Sequence, residues 1–420
     1  RICKTTMPTP DNRSACKLSP DHDLTKQQEI LIQEILRFCT DNASRKRKVL
    51  VLQGAAGTGK SIVLNTAFAR LRALSNQNSP DISDHRNSIL LVNHPEMIKL
   101  YRRISEGVPF LRKCDYERPT TFINKARKTG QNTDIVFIDE AHLLLSRRDA
   151  YNHFRQDNHL EEILKISRIV VMVFDPTQVL KLKSFWNEKT LHDILGDRDV
   201  LFCHLTQQFR MHANEDVEQW IKAFSRQELL PLPAHQEFDF RIFDDAQNMY
   251  EAICQHEQET GLSRILAIYD YPYVLNGQDH FITEGRFHLR WDRSMPEARL
   301  PWAERPDTIN EVGSVYTIQG FDLNYAGIIL GPSIDYDASS GRITADPSLY
   351  EDQMAFNGKN DIDPQGKIQT SIMMNAINVL MTRPMKGLYL YASSPKLRQQ
   401  LMKLNDQRGV SDKNSLKKNK

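Results

Sequence analysis

The chain has 420 residues, enough for two or three domains of ordinary size. Its 55 Lys and Arg residues nearly balance 53 Asp and Glu residues, which excludes a histone-like or polybasic protein but leaves room for a local basic groove that grips nucleic acid. A 40% hydrophobic fraction fits a folded soluble protein; no apolar run approaches the roughly 18–20 residues of a membrane span, and no signal-peptide pattern is evident.

Residues 1–21, rich in Pro, Ser, Thr and charge, are expected to form a flexible arm. The chain opens on Arg1 and not on Met, which is compatible with a fragment that lacks a preceding domain. Thr25 followed three residues on by Gln28 has the pattern of a helix capping box. Lys48 to Gln53 (KVLVLQ) reads as a buried strand running into a glycine-rich turn, and the next stretch sets Val63, Leu64, Ala67, Phe68 and Leu71 on one face of a helix. The turn, Gly54-Ala55-Ala56-Gly57-Thr58-Gly59-Lys60-Ser61, matches G-x-x-x-x-G-K-[ST] at every fixed position. Glycines let backbone N–H groups approach phosphates, the Lys60 ammonium reaches the β and γ phosphates, and the Ser61 hydroxyl binds Mg²⁺. The pattern therefore predicts an ATP and Mg²⁺ site.

Ser88 to Asn93, Asp134 to Asp139 and Arg168 to Asp175 read as further apolar strands. Strands alternating with amphipathic helices predict an α/β fold whose parallel sheet is covered by helices. The second of these strands ends in Asp139-Glu140. In a P-loop enzyme the first carboxylate holds Mg²⁺, commonly through water, and the second accepts a proton from the attacking water. Asn124-Lys125-Ala126-Arg127 lacks the aspartate of a guanine-specific N-K-x-D element, which argues against a GTPase. Beyond a joining region at 211–260 the α/β rhythm returns, with strands at Arg264 to Tyr269, Ala326 to Leu330 and Gly387 to Tyr391 and a helix from Thr370 to Met381. Residues 333–369, polar and Asp-rich, fit either a surface insertion or a partner site, and residues 403–420 read as a solvated basic tail. The six cysteines, Cys3, Cys16, Cys39, Cys114, Cys203 and Cys254, form no C-x-x-C pair and are expected to be reduced thiols of a cytoplasmic protein, with a nuclear location as the second choice.

Further motifs, in their order along the chain, resemble superfamily 1 helicases and, more closely, the Schlafen-related group 3 DNA/RNA helicase domain family, over residues 22–402. The resemblance implies two RecA-like P-loop domains, at 22–210 and 261–402, with ATP in the cleft between them. Leu24 to Gln28 resembles the glutamine element upstream of the P-loop, so Gln28 would pair with the adenine edge. Phe174-Asp175-Pro176-Thr177-Gln178 is similar to G-D-x-x-Q with Phe174 for the glycine, which makes Gln178 a sensor of the γ-phosphate and attacking water. Leu205 to Arg210 resembles the aromatic–arginine element, with Phe209 stacking on adenine and Arg210 reaching the γ-phosphate. Ser314-Val315-Tyr316-Thr317-Ile318-Gln319-Gly320 resembles T-x-H-x-x-Q-G; Gln319 and Gly320 match, whereas Ser314 and Tyr316 depart. Val379 to Arg383 resembles A-x-T-R, which implies an arginine finger at Arg383. The same likeness offers Asn93, His94, Thr121, Phe122, Tyr316 and Thr317 as contacts to a nucleic-acid strand. Trp291 and Trp302 read either as base-stacking platforms or as core residues.

The function expected is an ATP-dependent motor on nucleic acid, single-stranded DNA or RNA, of the helicase or translocase type. The intervals 93–120 and 270–312 are short for duplex-splitting insertions, so single-strand translocation fits as well as unwinding. An ATP-gated regulatory module coupled to a fused or partner effector domain is the rival from another class. A P-loop kinase leaves Gln319-Gly320 and Thr382-Arg383 unexplained.

Overall fold

The computed structural model describes residues 18–19, 23–41, 47–54, 58–76, 87–149, 153–175, 178–181, 184, 188–205, 215–233, 238–274, 278–293, 295, 298–356 and 366–418, with side chains through residue 408. These fall into two units, one within residues 13–209 and the other within 210–420.

In the N-terminal unit, α1 (Lys26–Thr40) leads into β1 (Lys48–Gly54), α2 (Lys60–Asn76), β2 (Ser88–Val92), α3 (Pro95–Ile104), β3 (Tyr116–Glu117), α4 (Pro119–Thr129), β4 (Thr133–Asp139), α5 (His159–Ile166), β5 (Ser167–Phe174), α6 (Glu188–Leu195) and β6 (Asp199–Leu205). The sheet order is β3-β2-β4-β5-β1-β6, and every pairing is parallel. Parallel strands need helical crossovers on their faces, so β1, β4 and β5 are buried on both sides, and this is why they read as unbroken apolar runs. Val51, Val136, Ile138, Val170 and Met172 belong to one core cluster on this sheet. The helix ends are set locally. Thr25 Oγ1 accepts from the Gln28 N–H at 3.2 Å while Gln28 Oε1 accepts from the Thr25 N–H at 3.0 Å, closing the capping box that the sequence predicts. Gly130, in the left-handed region, stops α4.

In the C-terminal unit, α7 (Glu215–Ser225), β7 (Asp239–Ile242), α8 (Ala246–Thr260), β8 (Ser263–Ala267), β9 (His280–Glu284), β10 (Phe287–Trp291), β11 (Glu311–Gly313), α9 (Val315–Ile318), β12 (Leu323–Leu330), β13 (Ile334–Asp337), β14 (Arg342–Ala345), α10 (Lys367–Met381), β15 (Pro384–Ala392) and α11 (Pro395–Lys418) follow. The sheet order is β7-β15-β12-β8-β11-β10-β9, parallel except for the β9–β10 hairpin. Residues 211–260, expected to join the two halves, supply edge strand β7 and helix α8 to this unit. Helix α11 runs on through the stretch from residue 403 that is expected to be a basic tail. Leu397 and Leu401 are buried, and Arg408 donates to the Pro233 and Phe240 carbonyls at 3.2 and 3.0 Å, which anchors the polar turns beside β7. Trp291 and Trp302 are core residues, at 0% and 3% exposure. Among the described residues no helix is long and apolar enough to cross a membrane, and Cys39, Cys114 and Cys203 are free thiols.

An ion pair lies inside this second sheet. Arg264, on β8, meets Glu257 at 2.8 Å and also donates to Thr308 Oγ1 and to the Ser263 and Arg305 carbonyls, each at 2.8 Å. Glu257 accepts the Ser263 N–H at 2.8 Å. Both side chains are 1–2% exposed, so removing one partner leaves a buried charge without its counterion. Arg264→Met is expected to cost about 3–5 kcal/mol in chemical denaturation, with most of that recovered by adding Glu257→Leu; a single-variant loss below about 1 kcal/mol contradicts this.

Candidate functional site

Strands β1, β4 and β5 run parallel in fixed register, Gln53 beside Phe174 and Ile138 beside Met172. Their carboxyl ends therefore emerge together, and the residues at and just beyond them meet: Lys60 and Ser61 at the start of α2, Asp139 at the end of β4 with Glu140 next to it, and Asp175 after β5. Lys60 Nζ donates to the Gly54 carbonyl at 2.6 Å and lies 3.4 Å from Asp175 Oδ2. Gln178 Nε2 donates to the same Asp175 oxygen at 2.7 Å, so Asp175 links the P-loop lysine to the predicted sensor. All three are buried. Gly59 has φ +83°, a backbone that L side chains rarely adopt, and a Cβ there would stand 2.4 Å from Gln28 Nε2. The glutamine upstream of the P-loop is thereby packed directly on the loop, with its Oε1 occupied by the capping box.

Asp139 is fully buried. Its Oδ1 accepts from Ser61 Oγ and from the Glu140 N–H, both at 3.0 Å, and its Oδ2 accepts from Tyr101 OH at 2.5 Å. These donors carry no charge. Burial, and after it the adjacent Glu140 carboxylate, push Asp139 well above the usual carboxylate range. A dication is the partner that best offsets such a buried carboxylate. The donor set suits Mg²⁺: Ser61 Oγ and Asp139 Oδ1 are hard oxygens 3.0 Å apart, and adjacent ligands of an octahedral Mg²⁺ are separated by about 3 Å. Glu140 has left-handed backbone angles (φ 50°, ψ 50°), which turn its carboxylate away from the strand; Oε2 lies 3.1 Å from buried His142 Nε2. A non-glycine residue held there stores strain of the kind found at functional sites.

Sequence reasoning missed two participants. Asp175 has a place in the G-D-x-x-Q resemblance but no role of its own there, although an acidic residue ending an apolar strand beside the P-loop strand is a usable signal. Tyr101 had no signal, because nothing in an amphipathic helix says which residue will touch Asp139. Ala55, Ala56, Gly57, Phe209 and Arg210 lie outside the described residues.

The proposed strand contacts fall in different environments. Asn93 donates to the Leu143 carbonyl at 2.7 Å and accepts from Arg118 at 3.3 Å, and His94 caps α3, its Nδ1 accepting from the Met97 N–H at 3.3 Å. Thr121 is exposed, whereas Phe122 is buried in the core cluster and presents no face for a base.

In the C-terminal unit Ser314 caps the short helix α9, its Oγ accepting from the Tyr316 N–H at 3.2 Å, and Thr317 Oγ1 donates back to the Ser314 carbonyl at 2.9 Å. Tyr316 OH donates to Asp352, which fixes the ring inside the unit. Gln319 is buried at the helix end, and Gly320 has φ +87°, open to glycine and strained for other residues. Arg383 is buried, with its Nε donating to the Val379 carbonyl at 2.8 Å.

The family model of the Schlafen group 3, DNA/RNA helicase domain matches residues 47–394. The Saccharomyces cerevisiae protein called "Uncharacterized protein YPL245W" is 41% identical over 414 residues, 90% of each chain. Among solved structures, Pif1 helicase from Candida albicans is 13% identical with a TM-score of 0.28, over 55% of this chain and 54% of that one. Domain III of the replication initiation protein DnaA from Thermotoga maritima is 17% identical with a TM-score of 0.26, over 53% of this chain and 74% of that one. The chain thus spans about half of the Pif1 structure and about three-quarters of the DnaA domain.

Asp292 gives the Ser314 element a pH signature. Burial pushes its carboxyl up to about 7, against the opposing effect of the Ser314 and Tyr269 hydroxyls. A carboxyl with a raised folded pKa binds its proton more tightly in the native chain, so its contribution is fully present below the unfolded value near 4 and is lost as pH rises toward 7. Asp292→Asn, which also tolerates the left-handed backbone at this position (φ 48°), is expected to remove that share. Between pH 5 and 8 the variant should lose about 2–3 kcal/mol less stability than the wild type in parallel denaturation curves; identical pH slopes contradict the assignment.

Proposed function

Because the chain belongs to the Schlafen group 3, DNA/RNA helicase domain family, we propose that it is an ATP-dependent nucleic-acid motor, a superfamily 1-type helicase or single-strand translocase that hydrolyses ATP to ADP and phosphate. The observation that carries this reading is the meeting of Lys60, Ser61, Asp139, Glu140 and Asp175 beyond the carboxyl ends of β1, β4 and β5. Lys60 exchanges the Gly54 carbonyl and Asp175 for the β and γ phosphates of ATP, and the backbone of residues 54–61 cradles them. Ser61 and Asp139 hold Mg²⁺, which when bound neutralises charge developing on the phosphates. Glu140 accepts the proton of the attacking water, and Gln178, released from Asp175, orients that water. Gln28 and Phe209 recognise the adenine by its edge and its face. Arg210 and Arg383 stabilise the γ-phosphate in the transition state, with Gln319 and Gly320 completing the nucleotide side. Asn93, His94, Thr121, Tyr316 and Thr317 belong to the elements that follow the nucleic-acid strand; Phe122 supports Thr121 from the core.

Turnover measured with and without single-stranded RNA and single-stranded DNA tests this reading. Stimulation by one polymer, lost in Lys60→Ala and reduced about 10²–10⁴-fold in Glu140→Gln, is the expected outcome. Undiminished turnover in both variants sinks the site assignment. Turnover that is lost in both variants but indifferent to either polymer favours the ATP-gated regulatory module.

A further inference from the structure

Resting on the Mg²⁺-ATP reading above, we propose that Tyr101 is a positioning residue for the Asp139 carboxylate and sets how strongly Mg²⁺ supports nucleotide binding. Tyr101 is completely buried on α3, seven residues after the cap His94. The two oxygens of Asp139 are divided between neighbours. Oδ1 faces the Ser61 hydroxyl, the side on which the cation belongs, and Oδ2 takes the Tyr101 hydroxyl at 2.5 Å. This second contact fixes the rotation of the carboxylate, so that Oδ1 is held toward Ser61 before a cation arrives.

The tyrosine is itself immobilised. Its ring stacks on Tyr116 at 5.4 Å between centroids and 7° between planes. Tyr116 OH donates to Asn65 Oδ1 at 3.1 Å, on the same helix that Lys60 and Ser61 begin, and its ring meets Phe68 edge-on at 5.5 Å. Helix α3 is tied to the same loop a second time, where Asn93, just before its cap, donates to the Leu143 carbonyl at 2.7 Å. The hydroxyl of Tyr101 thus belongs to a closed circuit: P-loop helix, Tyr116, Tyr101, Asp139 and back to Ser61. Groups that orient a metal-binding carboxylate in this way set metal affinity without touching the metal. A phenylalanine keeps the stack and removes only the bond to Oδ2.

The test is the affinity for a fluorescent ATP analogue, measured in EDTA and in Mg²⁺, in the full chain. The ratio of the two affinities reports the cation's contribution separately from the fold and from turnover. Tyr101→Phe is expected to lower that ratio on the order of 10- to 100-fold while the affinity in EDTA stays as in the wild type. Tyr116→Phe removes a buried hydroxyl one ring away but keeps the stack, the edge contact with Phe68 on the P-loop helix and the Tyr101 bond to Oδ2, and is expected to keep the wild-type ratio. An unchanged ratio in Tyr101→Phe overturns the proposal, as does an equal loss in EDTA and Mg²⁺ or an equal fall of the ratio in both variants. A wild-type chain that binds no nucleotide, or binds it without help from Mg²⁺, overturns the ATP reading itself and the inference with it.

Discussion

Strand β1 lies between β5 and β6 and is hydrogen-bonded in parallel to both, Lys48 to Gln53 against Ile169 to Phe174 on one side and Lys48 to Gly54 against Asp199 to Leu205 on the other. That pairing is the constraint on which the N-terminal unit depends. A parallel strand cannot be entered from a tight turn, so each neighbour arrives through a helix, and every strand delivers its carboxyl end to the same edge of the sheet. Slippage by one residue would exchange the side chains packed against the helices on the two faces, so the register is held by the core packing itself. The phosphate loop, the Asp139-Glu140 pair and Asp175 come from three distant segments, and this register is what brings them within hydrogen-bond distance.

At that edge the charges are arranged to satisfy one another. Asp175 holds Lys60 and Gln178 together, and the uncharged donors Ser61, Tyr101 and Glu140 N–H surround Asp139. A buried lysine with a carboxylate in reach and a buried aspartate with only neutral donors make an asymmetric pair. The first has an anion that a phosphate can replace, and the second is a carboxylate that a cation stabilises. The strained backbone at Glu140 follows Asp139 directly, and its carboxylate lies beside buried His142.

The C-terminal unit solves a different problem with similar means. Its sheet buries an arginine on a central strand, tolerated because Glu257, Thr308 and two carbonyls meet every face of the guanidinium. The Ser314 to Gly320 segment is likewise fixed by carboxylates from outside it, Asp352 on Tyr316 and Asp292 beside Ser314. The stretch 333–369, which fits either a surface insertion or a partner site, therefore includes a residue, Asp352, that supports this element. The departures from T-x-H-x-x-Q-G at Ser314 and Tyr316 acquire a physical role here, since a hydroxyl caps the helix and a phenol reaches Asp352.

Much of this was legible without coordinates. The apolar runs at 48–53, 134–139 and 168–175 identify themselves as buried strands because both their faces are covered, and the G-x-x-x-x-G-K-[ST] pattern between a strand and a helix predicts a phosphate site from residue type and spacing alone. The capping box at Thr25 and Gln28 is equally local. Short strands such as β3, β7 and β11 left no such trace, because two to four residues carry no period and their burial comes from neighbours far along the chain. The partners of Arg408 are hidden for the same reason: composition sees a polar residue, while its contacts lie at Pro233 and Phe240. From the sequence alone Lys60, Ser61 and the Asp139-Glu140 pair stand out as candidates for phosphate and metal chemistry, since such candidates are recognised by residue type at fixed spacing. Only the tertiary structure decided that Asp175 would face Lys60 and that Tyr101 would hold Asp139, since those contacts are made across sheet register and helix packing between segments 115 and 38 residues apart.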